Sequence, residues 1–250
     1  MKLSIVVPCF NEEETILETA KRLQRVLSEL KKSNKINHES FILFVDDGSS
    51  DSTWKIIEML DKDISNIYGL KLSRNRGHQN ALFSGLMKAR VFADAAVSID
   101  ADLQDDPEAI VNMVDHFLAG SDIVYGVRDC RKTDTFFKKH TAQLFYKAMS
   151  KLGVNLIYNH ADYRLASRRV LDALSKYEES HLFLRGIFPE LGFSSSIVTY
   201  KRHDRFAGES KYPLKKMLAF AWNGISSFSV SPLRLIMVFG GISFILCMVF

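Results

Sequence analysis

The stretch 97–108, V-S-I-D-A-D-L-Q-D-D-P-E, carries five carboxylates within nine residues, directly after an apolar run. The run 95–99 has the length and continuous apolar character of a strand buried on both faces. Because ligands of parallel sheets bind beyond the carboxyl ends of the strands, acids concentrated there indicate a binding site. Asp105 and Asp106 are weaker evidence, since acids around Pro107 are also typical of a helix N-terminus.

Three further apolar runs precede this one, and segments with apolar residues at helical spacing lie between the four. The predicted strands cover residues 3–7, 41–45, 67–72 and 95–99, and the predicted helices cover residues 12–30, 53–60 and 80–89. Alternation of this kind predicts an α/β fold that is Rossmann-like, with a mostly parallel sheet and helices on both faces.

Each predicted strand is followed by polar residues. The four strand ends are P-C-F-N-E at 8–12, D-D-G-S-S-D at 46–51, S-R-N-R-G-H at 73–78 and D-A-D at 100–102. Carboxyl ends of parallel strands meet at one edge of the sheet, so these segments are expected to form a single polar crevice.

Asp100 and Asp102 are the predicted metal ligands. Two carboxylates one residue apart can face the same divalent cation, and Mg²⁺ and Mn²⁺ prefer oxygen ligands supplied by carboxylates and phosphates. A cation there would neutralise a departing diphosphate. Asp46 and Asp47 follow another strand, where a carboxylate could bind a nucleoside; the chain has no phosphate-binding G-x-x-x-x-G-K-[ST] or G-x-G-x-x-G loop.

Composition limits the other classes of function. The net charge of +4 does not by itself indicate nucleic-acid binding, and none is predicted. Three widely spaced cysteines give neither a disulfide framework nor a metal site, which is typical of a reducing compartment. The N-terminal apolar run is too short for a signal peptide.

The C-terminal part predicts membrane attachment. Residues 213–232 mix lysines with large apolar residues, as amphipathic interfacial helices do, and residues 233–250 are apolar enough to begin a transmembrane segment that the sequence end truncates. Lys215, Lys216 and Arg234 precede the uncharged run 235–250 and predict a catalytic domain, residues 1–212, facing the cytoplasm at the inner membrane. A buried C-terminal helix is the alternative.

The four strand-end motifs, in this order and spacing, resemble those of the family 2 glycosyltransferases, whose fold is called GT-A. In the second half, G-V-R at 126–128, A-D-Y-R-L at 161–165 and K-R-H-D-R-F-A-G-E-S-K-Y at 201–212 are similar to the polyprenyl-phosphate branch. That branch includes bactoprenol glucosyltransferases and dolichyl-phosphate mannose synthases.

The resemblance implies a role for each candidate residue. Those implied to form the nucleoside pocket are Pro8, Phe10, Glu12, Val45 and Asp47, and Asn11 is a further substrate-binding candidate. The metal and diphosphate would be held by Asp100 and Asp102, with Gln104 beside the sugar. Arg128 would contact the donor, Arg202 and Arg205 would meet the diphosphate or the acceptor phosphate, and Ser210 and Lys211 belong to the same loop, which the family closes over the donor. Arg131 is a further basic residue available to hold the acceptor. Asp102, Arg128 and Asp162 are the catalytic candidates; Asp162 acts either as a base or by orienting an arginine such as Arg164.

The implied reaction is inverting transfer of a hexose or N-acetylhexosamine, from a nucleotide sugar that we expect to be UDP-linked, to a polyprenyl phosphate such as undecaprenyl phosphate. Mg²⁺ or Mn²⁺ is the expected cofactor, and self-association is an open alternative. Three alternatives remain at this point. They are a GDP-mannose enzyme, a processive polysaccharide synthase, whose Q-x-x-R-W motif is missing here, and a membrane-tethered sugar-nucleotide sensor.

Overall fold

The computed structural model describes residues 1–129, 160–177, 182–203 and 231–249. Some sequence predictions lie outside these ranges, namely the segment 213–230, the domain boundary at 212 and the candidates Arg131, Arg205, Ser210 and Lys211. They stay predictions.

A seven-stranded mixed sheet forms the centre of the described chain. Its strands are β1 (Leu3–Cys9), β2 (Phe41–Asp46), β3 (Ile67–Lys71), β4 (Ala95–Ser98), β5 (Ile123–Arg128), β6 (His160–Ser167) and β7 (Ser195–Tyr200), in the order β3-β2-β1-β4-β6-β5-β7. β6 runs antiparallel to its neighbours β4 and β5, and the other neighbouring pairs run parallel. The predicted, mostly parallel sheet is confirmed. The reversal at β6 brings the start of that strand to the carboxyl end of β4.

Helices join the strands and cover both faces of the sheet. They are α1 (Ile16–Lys32), α2 (Thr53–Asp63), α3 (His78–Phe92), α4 (Ala109–Leu118), α5 (Arg168–Leu174), α6 (Leu184–Glu190) and α7 (Ser231–Val249). The first begins four residues later than predicted because residues 12–15 form a turn, in which the carbonyl of Glu12 accepts from the amides of Thr15 and Ile16.

The core has two sides, as strands with alternating side-chain directions require. Ile5 of β1 is fully buried in a cluster with residues of α1, α2 and α4. Its neighbour Val6 is buried in a second cluster with residues of α3, α5 and α6. Burial on both faces explains why the central strands are continuously apolar.

Close packing of α3 on the sheet depends on Gly85. A Cβ at this position would lie 2.4 Å from Cγ1 of Val6 and 2.7 Å from Cγ2 of Val45. The helix can therefore approach β1 and β2 only with glycine here. This approach fixes the start of α3, at His78, beside the ends of these strands.

The described side chains of α7, from residue 236 to residue 248, are exposed, Phe239 to 66% and Met248 to 74%. Among the helices that the structure describes, none is long and apolar enough to cross a membrane. The predicted span over 233–250 is not supported there.

Candidate active site

A cleft of 480 Å³ opens at the carboxyl ends of the strands. It is lined by Pro8, Cys9, Phe10, Glu12, Asp47, Asn75, Gly77, His78, Ala81, Asp100, Ala101, Asp102, Asp162 and Arg185. All four predicted strand ends contribute to it. A wider depression of 660 Å³ lies along α1, between Gln24 and Ser33, away from these strand ends, and does not bear on the site.

Asp47 is held by the loop that precedes α3. Its carboxylate accepts hydrogen bonds from the backbone amides of Arg76 (2.7 Å) and Gly77 (2.9 Å). Burial raises the pKa of Asp47, and these two donors only partly offset that effect. The next residue, Gly48, has φ of +72°, and a Cβ there would lie 2.6 Å from the backbone of Arg74. The two strand-end loops therefore pack together only because this position is glycine.

The loop after β1 is tied to the loop after β2. Asn11, at a φ of 54°, accepts from the backbone amide of Ser50 through Oδ1 (2.8 Å), so this side chain turns toward the neighbouring loop. Phe10 is 37% exposed and presents an aromatic ring to the cleft. Of the five predicted nucleoside residues, Pro8, Phe10, Glu12 and Asp47 line the cleft, and the substrate-binding candidate Asn11 is not among its lining residues. Val45 instead lies fully buried against α3.

Asp100 and Asp102 lie on a tight turn after β4. Leu103, buried and at a φ of 56°, reverses the chain, and the backbone amide of Gln104 donates to Oδ1 of Asp102 (3.1 Å). Burial raises the pKa of Asp100 to about 6; His78 opposes this rise and neighbouring carboxylates add to it. The turn thus concentrates negative charge at the cleft.

A divalent cation fits this pair of carboxylates. The donors are oxygens, which Mg²⁺ and Mn²⁺ prefer, and a cation would relieve the crowding of negative charge. The described part of the chain contains no group of three or more His, Cys, Asp or Glu side chains placed to hold a metal. Asp100 and Asp102 would therefore share the cation with oxygens of a bound substrate, such as phosphates.

Asp105 has a different role from the two acids before it. It is 1% exposed, and its Oδ1 accepts from Arg128 Nε (3.1 Å), Arg128 Nη2 (3.0 Å) and the hydroxyl of Tyr200 (2.7 Å). The side chain of Arg202 donates to Oε1 of Gln104 in the same region. Arg128, Arg202 and Gln104, all predicted substrate contacts, are thus fixed beside the acidic turn and are not among the lining residues of the cleft.

Asp162, at the start of β6, lies at the centre of a cluster of donors. Oδ1 accepts from Arg164 Nη2, and Oδ2 accepts from Arg185 Nη2 (3.1 Å) and Gln79 Nε2 (3.0 Å). Nε2 of His78 lies 3.4 Å from Oδ2. Burial would raise the pKa of Asp162, but the neighbouring cations outweigh it and hold the pKa well below the usual range. Of its two predicted roles, this geometry favours orientation of arginines over action as a base.

Sequence reasoning missed two residues of this cluster, Gln79 and Arg185. Gln79 lies 83 residues from Asp162 in the chain, and only the fold brings them together. Arg185 is the single charged residue of an apolar segment, H-L-F-L-R-G-I-F at 181–188. A lone charge in such a segment is unusual, and it could have indicated a site residue.

Comparisons with known proteins agree with this geometry. Residues 4–175 match the family described as Glycosyl transferase family 2. The chain is 54% identical over 244 residues to the uncharacterized glycosyltransferase YkoT of Bacillus subtilis (strain 168), covering 98% of this chain and 72% of the relative. It is 40% identical over 236 residues to the prophage bactoprenol glucosyl transferase homolog of Escherichia coli (strain K12), covering 94% and 74%.

A solved structure shares the fold. It is that of glucosyl-3-phosphoglycerate synthase from Mycobacterium tuberculosis, in complex with Mn²⁺, UDP and glucosyl-3-phosphoglycerate. Its TM-score is 0.57 at 20% identity, over 88% of this chain and 76% of that chain. The family match covers more than half of the chain, and several relatives are about 40% identical over most of it. The protein is therefore a glycosyltransferase that belongs to glycosyl transferase family 2, in the polyprenyl-phosphate branch, with relatives named bactoprenol glucosyl transferases.

Proposed function

We propose that the protein is an inverting glycosyltransferase that moves a hexose or N-acetylhexosamine from a UDP-sugar to a polyprenyl phosphate, undecaprenyl phosphate being the one we favour. The observation that carries this proposal is that Asp47, Asp100 and Asp102 line one cleft with Asp162 and Arg185. Carboxylates suited to a nucleoside and a metal-bound diphosphate thus lie next to a cationic wall suited to a second phosphate.

The donor would lie along the ends of β2, β1 and β4. Asp47 and Phe10 offer a hydrogen-bond acceptor and an aromatic face to the nucleoside. Asp100 and Asp102 would hold Mg²⁺ or Mn²⁺, which when bound stabilises the charge of the departing diphosphate. The structural relative from Mycobacterium tuberculosis, with Mn²⁺ and UDP, supports this assignment.

A phosphate acceptor suits the cluster around Asp162. An acceptor phosphate is already anionic at neutral pH, so the site has to position it and needs no strong base. Asp162 is enclosed by donors and its pKa is low, as expected of a residue that orients its neighbours. The relatives named bactoprenol glucosyl transferases support an acceptor of this class.

Membrane attachment is part of the proposal. Residues 1–212 would form the catalytic domain, residues 213–232 would lie in the membrane interface, and residues 233–250 would begin the span. The exposed apolar side chains of α7 and the basic residues that precede it support an orientation with the cleft in the cytoplasm, at the inner membrane.

Transfer in detergent from radiolabelled nucleotide sugars to short-chain polyprenyl phosphate tests the proposal. We expect lipid-linked label from one UDP-sugar, dependent on Mg²⁺ or Mn²⁺, and a product whose anomeric configuration is inverted. Label from GDP-mannose alone would identify a mannose synthase instead, and products longer than one sugar would identify a processive enzyme. Absence of lipid label from every donor, with UDP still bound, would contradict the acceptor assignment.

A further inference from the structure

Arg185 is a cation in the cleft that the predicted set of phosphate contacts does not include. It is the second residue of α6, and its side chain is 35% exposed and lines the cleft. Arg164, which contacts the same carboxylate, is 1% exposed and lies over the ring of Phe188 at 4.5 Å. Of the two arginines on Asp162, Arg185 alone reaches the cleft.

The position of Arg185 is fixed from two sides. Its Nη2 donates to Oδ2 of Asp162 (3.1 Å). Gln79 donates to the same oxygen through Nε2 (3.0 Å), and through Oε1 it accepts from the backbone amide of Leu184 (3.0 Å). Gln79 therefore ties the start of α6 to the carboxylate that orients Arg185. A guanidinium held in this way loses little further freedom when it binds an anion.

The charge of this cluster favours an anion. One carboxylate, Asp162, faces the two guanidinium groups of Arg164 and Arg185. The three groups together carry one surplus positive charge, and of the two cations Arg185 is the one that lines the cleft, beside Asp162. The charge at Asp100 and Asp102 is negative, and a divalent cation fits there.

The order of the strands sets the order of the site residues along the cleft. β2, β1, β4 and β6 are consecutive in the sheet, so Asp47, Asp100 and Asp162 follow one another along its edge. A donor with its nucleoside at Asp47 and its diphosphate at Asp100 places its sugar toward Asp162 and Arg185. In an in-line displacement the attacking group approaches the sugar from the side opposite the leaving diphosphate.

We propose that Arg185 binds the phosphate of the acceptor, with Asp162 and Gln79 as its positioning residues. The inference rests on the proposed function. In the step it serves, a bond forms between an acceptor phosphate oxygen and the anomeric carbon, and the bond from that carbon to the diphosphate breaks. The electron pair leaves with the nucleoside diphosphate, and no proton has to be moved. Arg185 would hold the attacking phosphate as a planar, charged, two-pronged donor.

Arg185→Gln in the full chain tests the inference, because its effect on the KM of the acceptor can be measured separately from its effect on the KM of the donor. We expect the KM for short-chain polyprenyl phosphate to rise about 10- to 100-fold, the range for losing a charged hydrogen bond. The KM for the nucleotide sugar and the Kd of UDP, from calorimetry, should change by less than about threefold. Arg185→Lys keeps the charge but loses the planar fork, so its acceptor KM should rise less.

Arg169→Gln is the matched control. Arg169 also pairs with an aspartate, Asp122, but it is 70% exposed. It lies where β6 ends and β5 begins, at the ends of the strands away from the cleft. Both KM values should stay at the wild-type level in this variant. Thermal melting of all variants checks folding, and Arg185→Lys carries the test if Arg185→Gln does not fold.

Two results would overturn the inference, and they can be told apart from failure of the proposed function. If the wild type is active and Arg185→Gln has an unchanged acceptor KM, or a raised donor KM alone, Arg185 does not bind the acceptor. A wild type that transfers sugar to no polyprenyl phosphate refutes the proposed function, and the inference with it.

Discussion

Asp105→Asn tests whether the buried acid beside the cleft holds Arg128 in place. Asp105 is 1% exposed and bonds both Arg128 and Tyr200, whereas the Arg128 side chain is 26% exposed. Removing one partner of a buried ion pair costs about 3–5 kcal/mol, and exposed pairs contribute about 1 kcal/mol or less. Since Asn keeps the shape of the side chain and one hydrogen bond, we expect the free energy of unfolding to fall by about 3 kcal/mol, near the lower limit for buried pairs.

Thermal melting in detergent measures this loss. For a domain of this size a change of about 3 kcal/mol lowers the Tm by about 6–12 °C. The control is Asp172→Asn, which breaks the more exposed pair with Arg90 (3.3 Å) and should cost about 0.5 kcal/mol or less. Equal melting temperatures for Asp105→Asn and the wild type would refute the assignment of Asp105 as the residue that anchors Arg128.

Three further changes probe the loops around the cleft. Gly48→Ala forces a Cβ to 2.6 Å from neighbouring backbone, so we expect the free energy of unfolding to fall by about 2–3 kcal/mol and UDP binding to weaken; Gly192→Ala, at a similar φ of +69° but with the nearest atom 4.0 Å away, should cost only about 1 kcal/mol, and equal losses would contradict the packing argument. Gln79→Leu removes both hydrogen bonds of its amide, so transfer should slow about 10-fold or more while UDP affinity, from calorimetry, is kept. The folded pKa of Asp162 is below its unfolded value of roughly 3.9, so its stabilisation is present above about pH 4 and is lost as the pH falls through the folded pKa. Asp162→Asn should therefore lower the Tm at pH 7, and the gap to wild type should narrow below about pH 4; a gap independent of pH would contradict this.

The front half of the fold could be predicted because its signals are local. The mostly apolar runs of β1, β2 and β4 are strands buried on both faces, whereas β3 is partly exposed, and a polar segment follows each of the four at the same sheet edge. The antiparallel strand β6 was not predicted, since its partners β4 and β5 precede it by tens of residues and its own sequence mixes charged and apolar residues.

The roles of individual acids depend on backbone geometry that the sequence does not show. Asp102 and Asp105 are three residues apart, yet the turn at Leu103 directs Asp102 to the cleft and Asp105 into the interior. Val45 was predicted in the nucleoside pocket, but its side chain packs under α3. Arg185 joins the site only through contacts across long chain separations.

The most direct test compares two acids of the same run, Asp102→Asn and Asp106→Asn, in metal-dependent transfer of labelled sugar to short-chain polyprenyl phosphate. Asp102 lines the cleft, whereas Asp106 accepts from the amide of Glu108 at the start of α4 (3.0 Å). We expect Asp102→Asn to lower transfer by about 100-fold or more, and Asp106→Asn to stay within about threefold of wild type. Full activity in Asp102→Asn, or equal losses in both variants, would contradict the assignment of the strand-end carboxylates to the donor diphosphate.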